Sequence, residues 1–142
     1  MTCLITGGTG FIGAEIARQL LQQGTNVVVF DINPSPHRLG DVATDVEILR
    51  GDLGNFSHVL DAVRTVAPNT IYHLGGMLSE PSERDPQAAL RTNVLGTYHT
   101  LEAARIFGVR EVMFASTIAT YGLDVPGPVI DDATLQRPIL FY

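Results

Sequence analysis

Short apolar runs alternate with segments of helical periodicity through most of the chain. The apolar runs lie at residues 3–5, 26–30, 46–49, 70–74 and 111–115. Between them, apolar side chains recur every three or four residues, which is typical of helices that pack through one face. Strands that alternate in this way with helices indicate a parallel sheet covered on both faces. The pattern therefore predicts an α/β fold with five strands.

Capping residues place the predicted helices. The first helix carries Ile12, Ile16, Leu20 and Leu21 and ends near Gly24. The second runs from the cap Asn55 to Pro68, and the third opens at Asp85-Pro86 and closes at Gly108. Loops are predicted at 77–84 and 122–137, and residues 138–142 could start another helix. The apolar stripe of the third helix comprises Leu90, Val94, Tyr98, Leu101 and the stem of Arg105.

A glycine-rich turn separates the first strand from the first helix. Gly7, Gly10 and Gly13 are spaced G-x-x-G-x-x-G. Gly7 permits a tight turn, Gly10 lets a pyrophosphate approach the backbone, and Gly13 lets the helix pack closely. The unpaired N–H groups and positive dipole end of the helix favour an anion there. The turn thus predicts a dinucleotide site.

Asp31 follows the second strand, at the distance from the glycine turn where a carboxylate can accept hydrogen bonds from the adenosine ribose. The same charge repels a 2′-phosphate, so the predicted cofactor is NAD rather than NADP. Right-handed crossovers and the position of the turn predict a Rossmann-type doubly wound parallel sheet with strand order 3-2-1-4-5. Ligands of such sheets bind at the carboxyl ends of the strands.

Composition narrows the possible functions. The 142 residues have the length of one domain, with 45% hydrophobic and 17% charged residues, as in a compact globular protein. A net charge of −6 without a basic run argues against a nucleic-acid partner. No apolar run reaches the length of a membrane span, and no signal peptide or metal-ligand spacing is recognised. The lone Cys3 is expected to be a buried thiol, and the expected location is the cytoplasm.

Five motifs, in this order, resemble those of the extended short-chain dehydrogenases, and more narrowly the NAD-dependent epimerase/dehydratase group. They begin at Thr6, Gly51, His73, Asn93 and Ser116 and read TGGTGFIG, GDL, HLGG, NVLGT and STIATYG. The resemblance covers essentially the whole chain. It implies that Asp52 and Leu53 bracket the adenine and that Asn93 supports the active site. The full set of expected cofactor-binding residues is Gly7, Gly10, Phe11, Ile12, Gly13, Asp31, Ile32, Asp52, Leu53, Leu74, Gly75, Gly76 and Asn93.

The resemblance also implies a catalytic pair. Thr117, with Ser116 beside it, occupies the hydroxyl position after the fifth strand, and Tyr142 lies at the usual interval beyond it. In the family, a lysine four residues after the tyrosine favours the phenolate, which takes a proton from the substrate hydroxyl while hydride passes to NAD. Tyr142 is the last residue of the sequence, so the lysine that the resemblance implies is absent from these residues. We therefore expect a fold truncated before the last strands and the substrate lobe, inert alone, with residues 1–142 forming the NAD-binding domain of a longer enzyme.

The substrate stays open between alternatives. The commonest occupation of the group is epimerisation or dehydration of a nucleotide sugar. The residues around Ser79, Ser116 and Arg137 are also similar to the short-chain type of L-threonine 3-dehydrogenase, and Ser79 is the predicted substrate contact. A non-catalytic NAD-binding module is the alternative from another class. Extended members of the family usually pair through two long helices, so the full-length protein is expected to be a homodimer.

Overall fold

The computed structural model describes residues 1–123, 127 and 129–142. Its sheet has five parallel strands in the order β3-β2-β1-β4-β5, which confirms the predicted topology. The strands are β1 (Thr2–Thr6), β2 (Asn26–Asp31), β3 (Glu47–Arg50), β4 (Thr70–His73) and β5 (Glu111–Phe114). Each differs from its predicted bounds by no more than one residue at either end.

The helices are α1 (Phe11–Gln22), α2 (Phe56–Val66), α3 (Ser79–Arg84), α4 (Pro86–Ala89) and α5 (Gly96–Phe107), with a π-helical segment at Leu90–Leu95. Short 3₁₀ turns lie at Pro36–Arg38, Gly40–Val42 and Ile118–Thr120. The predicted caps are present. The side chain of Asn55 accepts from the N–H groups of Ser57 and His58, and that of Asp85 accepts from the N–H of Ala88.

Alternate residues of the central strands supply two cores, one on each face of the sheet. Leu4, Val28 and Ile71 are buried with α2 and α5 on one face. Cys3, Ile5, Val27 and Val29 are buried with α1 on the other. Burial also raises the pKa of the Cys3 thiol, as expected for an unreactive cysteine. The two cores hold the carboxyl ends of the strands in one row.

The third predicted helix differs from its prediction in continuity and in its buried face. It is interrupted by the π-helical segment, and its buried residues are small ones: Ala89, Gly96, Thr100, Ala103 and Ala104. The predicted apolar stripe of Leu90, Val94, Tyr98 and Leu101 is instead exposed by 46–59%. A Cβ atom at Gly96 would lie 2.8 Å from the Cβ of Leu53, so close packing selects the small residues. Periodicity alone therefore predicted the wrong face.

Three local predictions also need correction. Residues 79–84, predicted as loop, form α3, because Ser82 is buried and its hydroxyl donates to the Met77 carbonyl oxygen at 3.2 Å. Residues 138–142 do not form the suggested helix, and the N–H of Phe141 donates to the carboxylate of Glu83 instead. Ile12 is 59% exposed rather than part of the buried stripe of α1. The predicted loop at 122–137 includes residues 124–126 and 128, which lie outside the described residues.

Candidate functional site

The glycine turn between β1 and α1 leaves no room for a side chain at Gly7, Gly8 or Gly13. Gly7 has a φ of 65°, which confirms the predicted tight turn, and its N–H donates to the Phe30 carbonyl oxygen at 2.8 Å. A Cβ atom at Gly13 would lie 2.4 Å from the carbonyl oxygen of Gly7. One at Gly8 would lie 2.4 Å from the Cβ of Val29. The glycines therefore allow the turn to pack closely against β2 and against the start of α1.

The N-terminus of α1 opens from this turn. Gly10 is the N-cap residue and supplies no capping side chain. The first N–H groups of a helix have no partner within the helix, so those of α1 are available to an anion. Phe11 and Ile12 follow with exposed side chains, 83% and 59% accessible. This end of α1 forms one wall of a cavity.

That cavity has a volume of about 960 Å³ and follows the carboxyl ends of the strands. It is large enough for a dinucleotide, since ligand pockets typically span roughly 300–1,000 Å³. All of the predicted cofactor-binding and catalytic residues line it, from Gly7 to Tyr142. Ser79 is the exception: it is the first residue of α3 and is absent from the lining, whereas its neighbours Met77 and Leu78 are present.

Asp31 lies at the cavity with most of its acceptor capacity already used. Its Oδ2 accepts from the hydroxyl of Thr9 at 2.7 Å and from the Thr9 N–H at 3.3 Å. Its Oδ1 accepts from the N–H of Asn33 at 3.2 Å. A carboxylate offers about four lone-pair positions, so roughly one remains on Oδ1. Thr9 thus orients Asp31 and leaves one oxygen able to accept from a ribose hydroxyl.

Two histidines hold the Asp52-Leu53 segment after β3. The N–H of Asp52 donates to Nδ1 of His58 at 3.2 Å, and the Nδ1 of His99 contacts the Leu53 carbonyl oxygen at 2.8 Å. Because a carbonyl oxygen can only accept, His99 donates through Nδ1. Asp52 Oδ1 accepts from the Gly54 N–H at 2.8 Å. The segment predicted to bracket the adenine is therefore positioned by hydrogen bonds from α2 and α5.

His73 is a buried hub under the loop after β4. Its Nδ1 lies 2.8 Å from the hydroxyl of Thr6, and its Nε2 lies 3.1 Å from the hydroxyl of Thr97. The Thr97 hydroxyl donates to the Asn93 carbonyl oxygen at 2.6 Å, so it accepts from Nε2–H, which assigns the tautomer. The Thr6 oxygen accepts from the N–H of Gly75 at 3.1 Å. Desolvation lowers the pKa of His73 to about 4, so the ring is neutral near pH 7.

The side chain of Asn93 clamps the backbone of Met77. Its Oδ1 accepts from the Met77 N–H at 2.7 Å, and its Nδ2 donates to the Met77 carbonyl oxygen at 3.1 Å. Asn93 lies in the π-helical segment, a distortion that is frequent at functional sites. A Cβ atom at Gly76 would lie 3.2 Å from Asn93 Oδ1. Asn93 therefore shapes the cavity through the loop rather than through a free amide.

Ser116, Thr117 and Tyr142 line the cavity beyond β5. The Thr117 Oγ1 accepts from the Ala119 N–H at 3.1 Å and thereby caps the following 3₁₀ turn. Its hydroxyl proton stays available for a ligand. The chain beside Tyr142 is held by the bond from the Phe141 N–H to Glu83. The structure thus brings both ends of the predicted catalytic pair to one cavity.

The sequence did not reveal the residues that orient other site residues by hydrogen bonds. Thr9 orients Asp31, and Thr6 and Thr97 orient His73, yet none of the three threonines stands at a predicted ligand position. All three lie within motifs, so the sequence indicated that they are near the site but not what they do there. Arg91, a cation in the cavity lining, was also missed, because it stood between positions assigned to the apolar stripe.

A doubly wound sheet whose glycine turn, acidic β2 end and hydroxyl-bearing β5 end open into one cavity defines a dinucleotide-binding protein of the Rossmann type. Comparison with known proteins narrows this class. The model of the NAD dependent epimerase/dehydratase family matches residues 3–140, and the chain belongs to that family. The predicted family and the NAD cofactor predicted with it are confirmed at this level.

Individual relatives carry several activities. D-erythronate dehydrogenase of Cupriavidus necator is 33% identical over 100% of this chain and 46% of its own length. The crystal structure of the Thermus thermophilus UDP-glucose 4-epimerase in complex with NAD has a TM-score of 0.86 at 31% identity, over 100% of this chain and 46% of that one. A GalE-like L-threonine dehydrogenase from Cupriavidus necator has a TM-score of 0.87 at 25% identity, over 99% and 45%.

The chain therefore spans less than half the length of each of these three relatives. Among residues 1–123, 127 and 129–142, no helix combines the length and apolar character that crossing a membrane requires.

Proposed function

We propose that residues 1–142 form the NAD-binding domain of an oxidoreductase that moves hydride between a hydroxyl-bearing carbon of its substrate and NAD. The observation that carries this proposal is that one cavity joins two kinds of chemistry. The glycine turn and Asp31 line one part of it, and Thr117 and Tyr142 line another. A protein that only bound the dinucleotide would need the first pair of features and not the second.

The residues present fit NAD. The uncapped N-terminus of α1 suits a diphosphate, and the absence of a Cβ atom at Gly10 lets it approach the backbone. The open lone pair of Asp31 suits a ribose hydroxyl, and its charge opposes a 2′-phosphate. Gly75 and Gly76 line the same cavity after β4 and present no side chains to the cofactor.

When bound, NAD supplies a two-electron acceptor beside the substrate carbon. Thr117 donates its hydroxyl proton to the substrate oxygen, since its Oγ1 already accepts from Ala119. Tyr142, as the phenolate, accepts the proton that this oxygen loses. The neutral His73 beneath the loop adds no positive charge that would repel the positively charged ring of the oxidised cofactor. Each of these residues touches the cavity, which is what the reaction requires.

A nucleotide sugar is the substrate class that we favour. Solved UDP-glucose 4-epimerases align over 99–100% of this chain with TM-scores of 0.84–0.91. A small hydroxy acid or L-threonine is the second candidate. It is supported by the 33% identity to D-erythronate dehydrogenase and by the likeness to the L-threonine dehydrogenase structure.

The test is an NADH-fluorescence screen of the intact protein with UDP-glucose, D-erythronate and L-threonine. Epimerisation returns the hydride, so the UDP-glucose arm also measures formation of UDP-galactose. The active substrate is then used with Tyr142→Phe, which removes the phenolic oxygen. We expect the rate to fall at least about a hundredfold while the affinity for NAD stays unchanged.

Tyr98→Phe is the matched control, because Tyr98 is exposed on α5 and absent from the cavity lining. It should retain the wild-type rate. An undiminished rate in Tyr142→Phe would remove Tyr142 from the chemistry. NAD binding with no turnover of any of the three substrates would favour the non-catalytic module.

We also propose that the intact protein forms a homodimer. The exposed side chains of Leu90, Val94 and Leu101 give this part of the chain an apolar surface that burial would stabilise. Analytical ultracentrifugation of the wild type should show a dimer, and Leu101→Glu should shift it toward monomer. Glu102→Gln, beside it, is the control. A monomeric wild type would contradict the proposal.

A further inference from the structure

The charges around the cavity are unbalanced. Asp31 and Asp52 place two carboxylates in its lining. His73 is buried and neutral near pH 7. Of the described residues that line the cavity, Arg91 alone carries a permanent positive charge. A diphosphate would bring two further negative charges into this space, and the N-terminus of α1 offers only about half a unit of opposite charge.

Arg91 lies beside the Asp52-Leu53 segment, at the part of the cavity where the proposed function places the adenosine. It belongs to the π-helical segment, and its Cβ lies 3.4 Å from the position that a Cβ atom at Gly54 would occupy. Asp52 Oδ1 lies 3.2 Å from that same position. Gly54 therefore lies between Asp52 and Arg91, which places Arg91 next to the Asp52 segment, and Arg91 is exposed there.

Arg91 also differs from most arginines of the chain in its partners. The sequence contains nine arginines and no lysine. Five arginines form ion pairs with carboxylates: Arg18, Arg64, Arg84, Arg105 and Arg110. Within the part of the chain that the structure describes, no carboxylate oxygen lies within 4.0 Å of the Arg91 guanidinium. Asp52 Oδ1, the nearby acceptor, is engaged with Gly54.

We infer that Arg91 is a further cofactor-binding residue, whose guanidinium binds the phosphate next to the adenosine of the dinucleotide. The inference rests on the proposed function and deepens it. We favour phosphate over the adenine ring as the group that Arg91 binds, for two reasons. The phosphates are negatively charged, and the described cavity lining holds no other side-chain cation to neutralise them. The planar fork of the guanidinium can also donate to two phosphate oxygens at once. Lysine at this position would keep the charge and lose the fork.

The test compares three ligands by isothermal titration of the intact protein: NAD, ADP and adenosine. Arg91→Gln should weaken NAD and ADP binding by at least about tenfold, the lower end of the range expected for a hydrogen bond to a charged group, and adenosine binding by less than about twofold. Arg91→Lys should recover part of the loss. The salt dependence of NAD binding should be smaller in Arg91→Gln than in the wild type, because one screened attraction is gone.

Arg105→Gln is the matched control, since Arg105 lies on α5, pairs with Glu102 and is absent from the cavity lining. It should bind all three ligands as the wild type does. Equal NAD affinity in Arg91→Gln and the wild type overturns the inference, and so does an equal loss for adenosine, which would mean stacking on the base. A wild type that binds neither NAD nor ADP overturns the proposed function instead.

Discussion

Acidification should destabilise this protein through His73. Its pKa lies near the ordinary value of about 6.5 in the unfolded chain and is lowered to about 4 in the folded state, because burial removes water from the ring. Between those two pH values His73 is protonated in the unfolded chain and neutral in the folded protein. The contribution of His73 is therefore constant above about pH 6.5 and falls as the pH drops toward 4.

The size of this effect follows from the pKa difference. Each pH unit inside the window costs about 1.4 kcal/mol of folding free energy, so a fall from about pH 6.5 to about pH 5 should cost about 2 kcal/mol. The hydrogen bonds of His73 also favour its neutral form, in agreement with the lowered pKa. Nδ1 accepts from the Thr6 hydroxyl, and a proton on Nδ1 would break that bond inside a residue that is only 3% exposed.

The assay is urea unfolding of the wild type and His73→Gln at about pH 7.5 and about pH 5. Glutamine does not titrate, so the loss of stability between the two pH values should be about 2 kcal/mol smaller in the variant. Comparing pH differences cancels the hydrogen bonds that the substitution removes at both pH values. His37→Gln, at an exposed site, is the matched histidine-to-glutamine control. Equal pH dependence in the wild type and His73→Gln would refute the reasoning.

Two further predictions concern the glycine turn and Asp31. Gly13→Ala would bring a Cβ atom within 2.4 Å of the Gly7 carbonyl oxygen, so it should lower both the melting temperature and the NAD affinity, whereas Gln22→Ala at the exposed end of α1 should change neither. Wild-type values in Gly13→Ala would show that the turn can move. Asp31→Ser should weaken NAD binding by about tenfold and strengthen NADP binding, as measured by isothermal titration. Tighter binding of NADP than of NAD by the wild type would contradict the role given to Asp31.

Much of the fold follows from local rules. Strand-length apolar runs, the caps at Asn55 and Asp85 and the positive φ of Gly7 depend on residues close together in the chain. The strand order then follows from the handedness of the crossovers. For the same reason, the glycine turn, Asp31 and Thr117 could be assigned to one sheet edge in advance, since parallel strands end together.

By itself, then, the sequence determined the order of the elements, the sheet topology, the family and most of the residues around the cavity. Only the tertiary structure decided which face of the Pro86–Phe107 region is buried, that Ser79 lies outside the cavity lining, and that Arg91 stands over Gly54. The physical reason is that the sequence does not show how far each residue is rotated around the helix axis. A π-helical segment shifts every later residue around the helix axis, and whether Gly96 or Val94 is buried depends on how closely Leu53 approaches from a loop that is distant in the sequence.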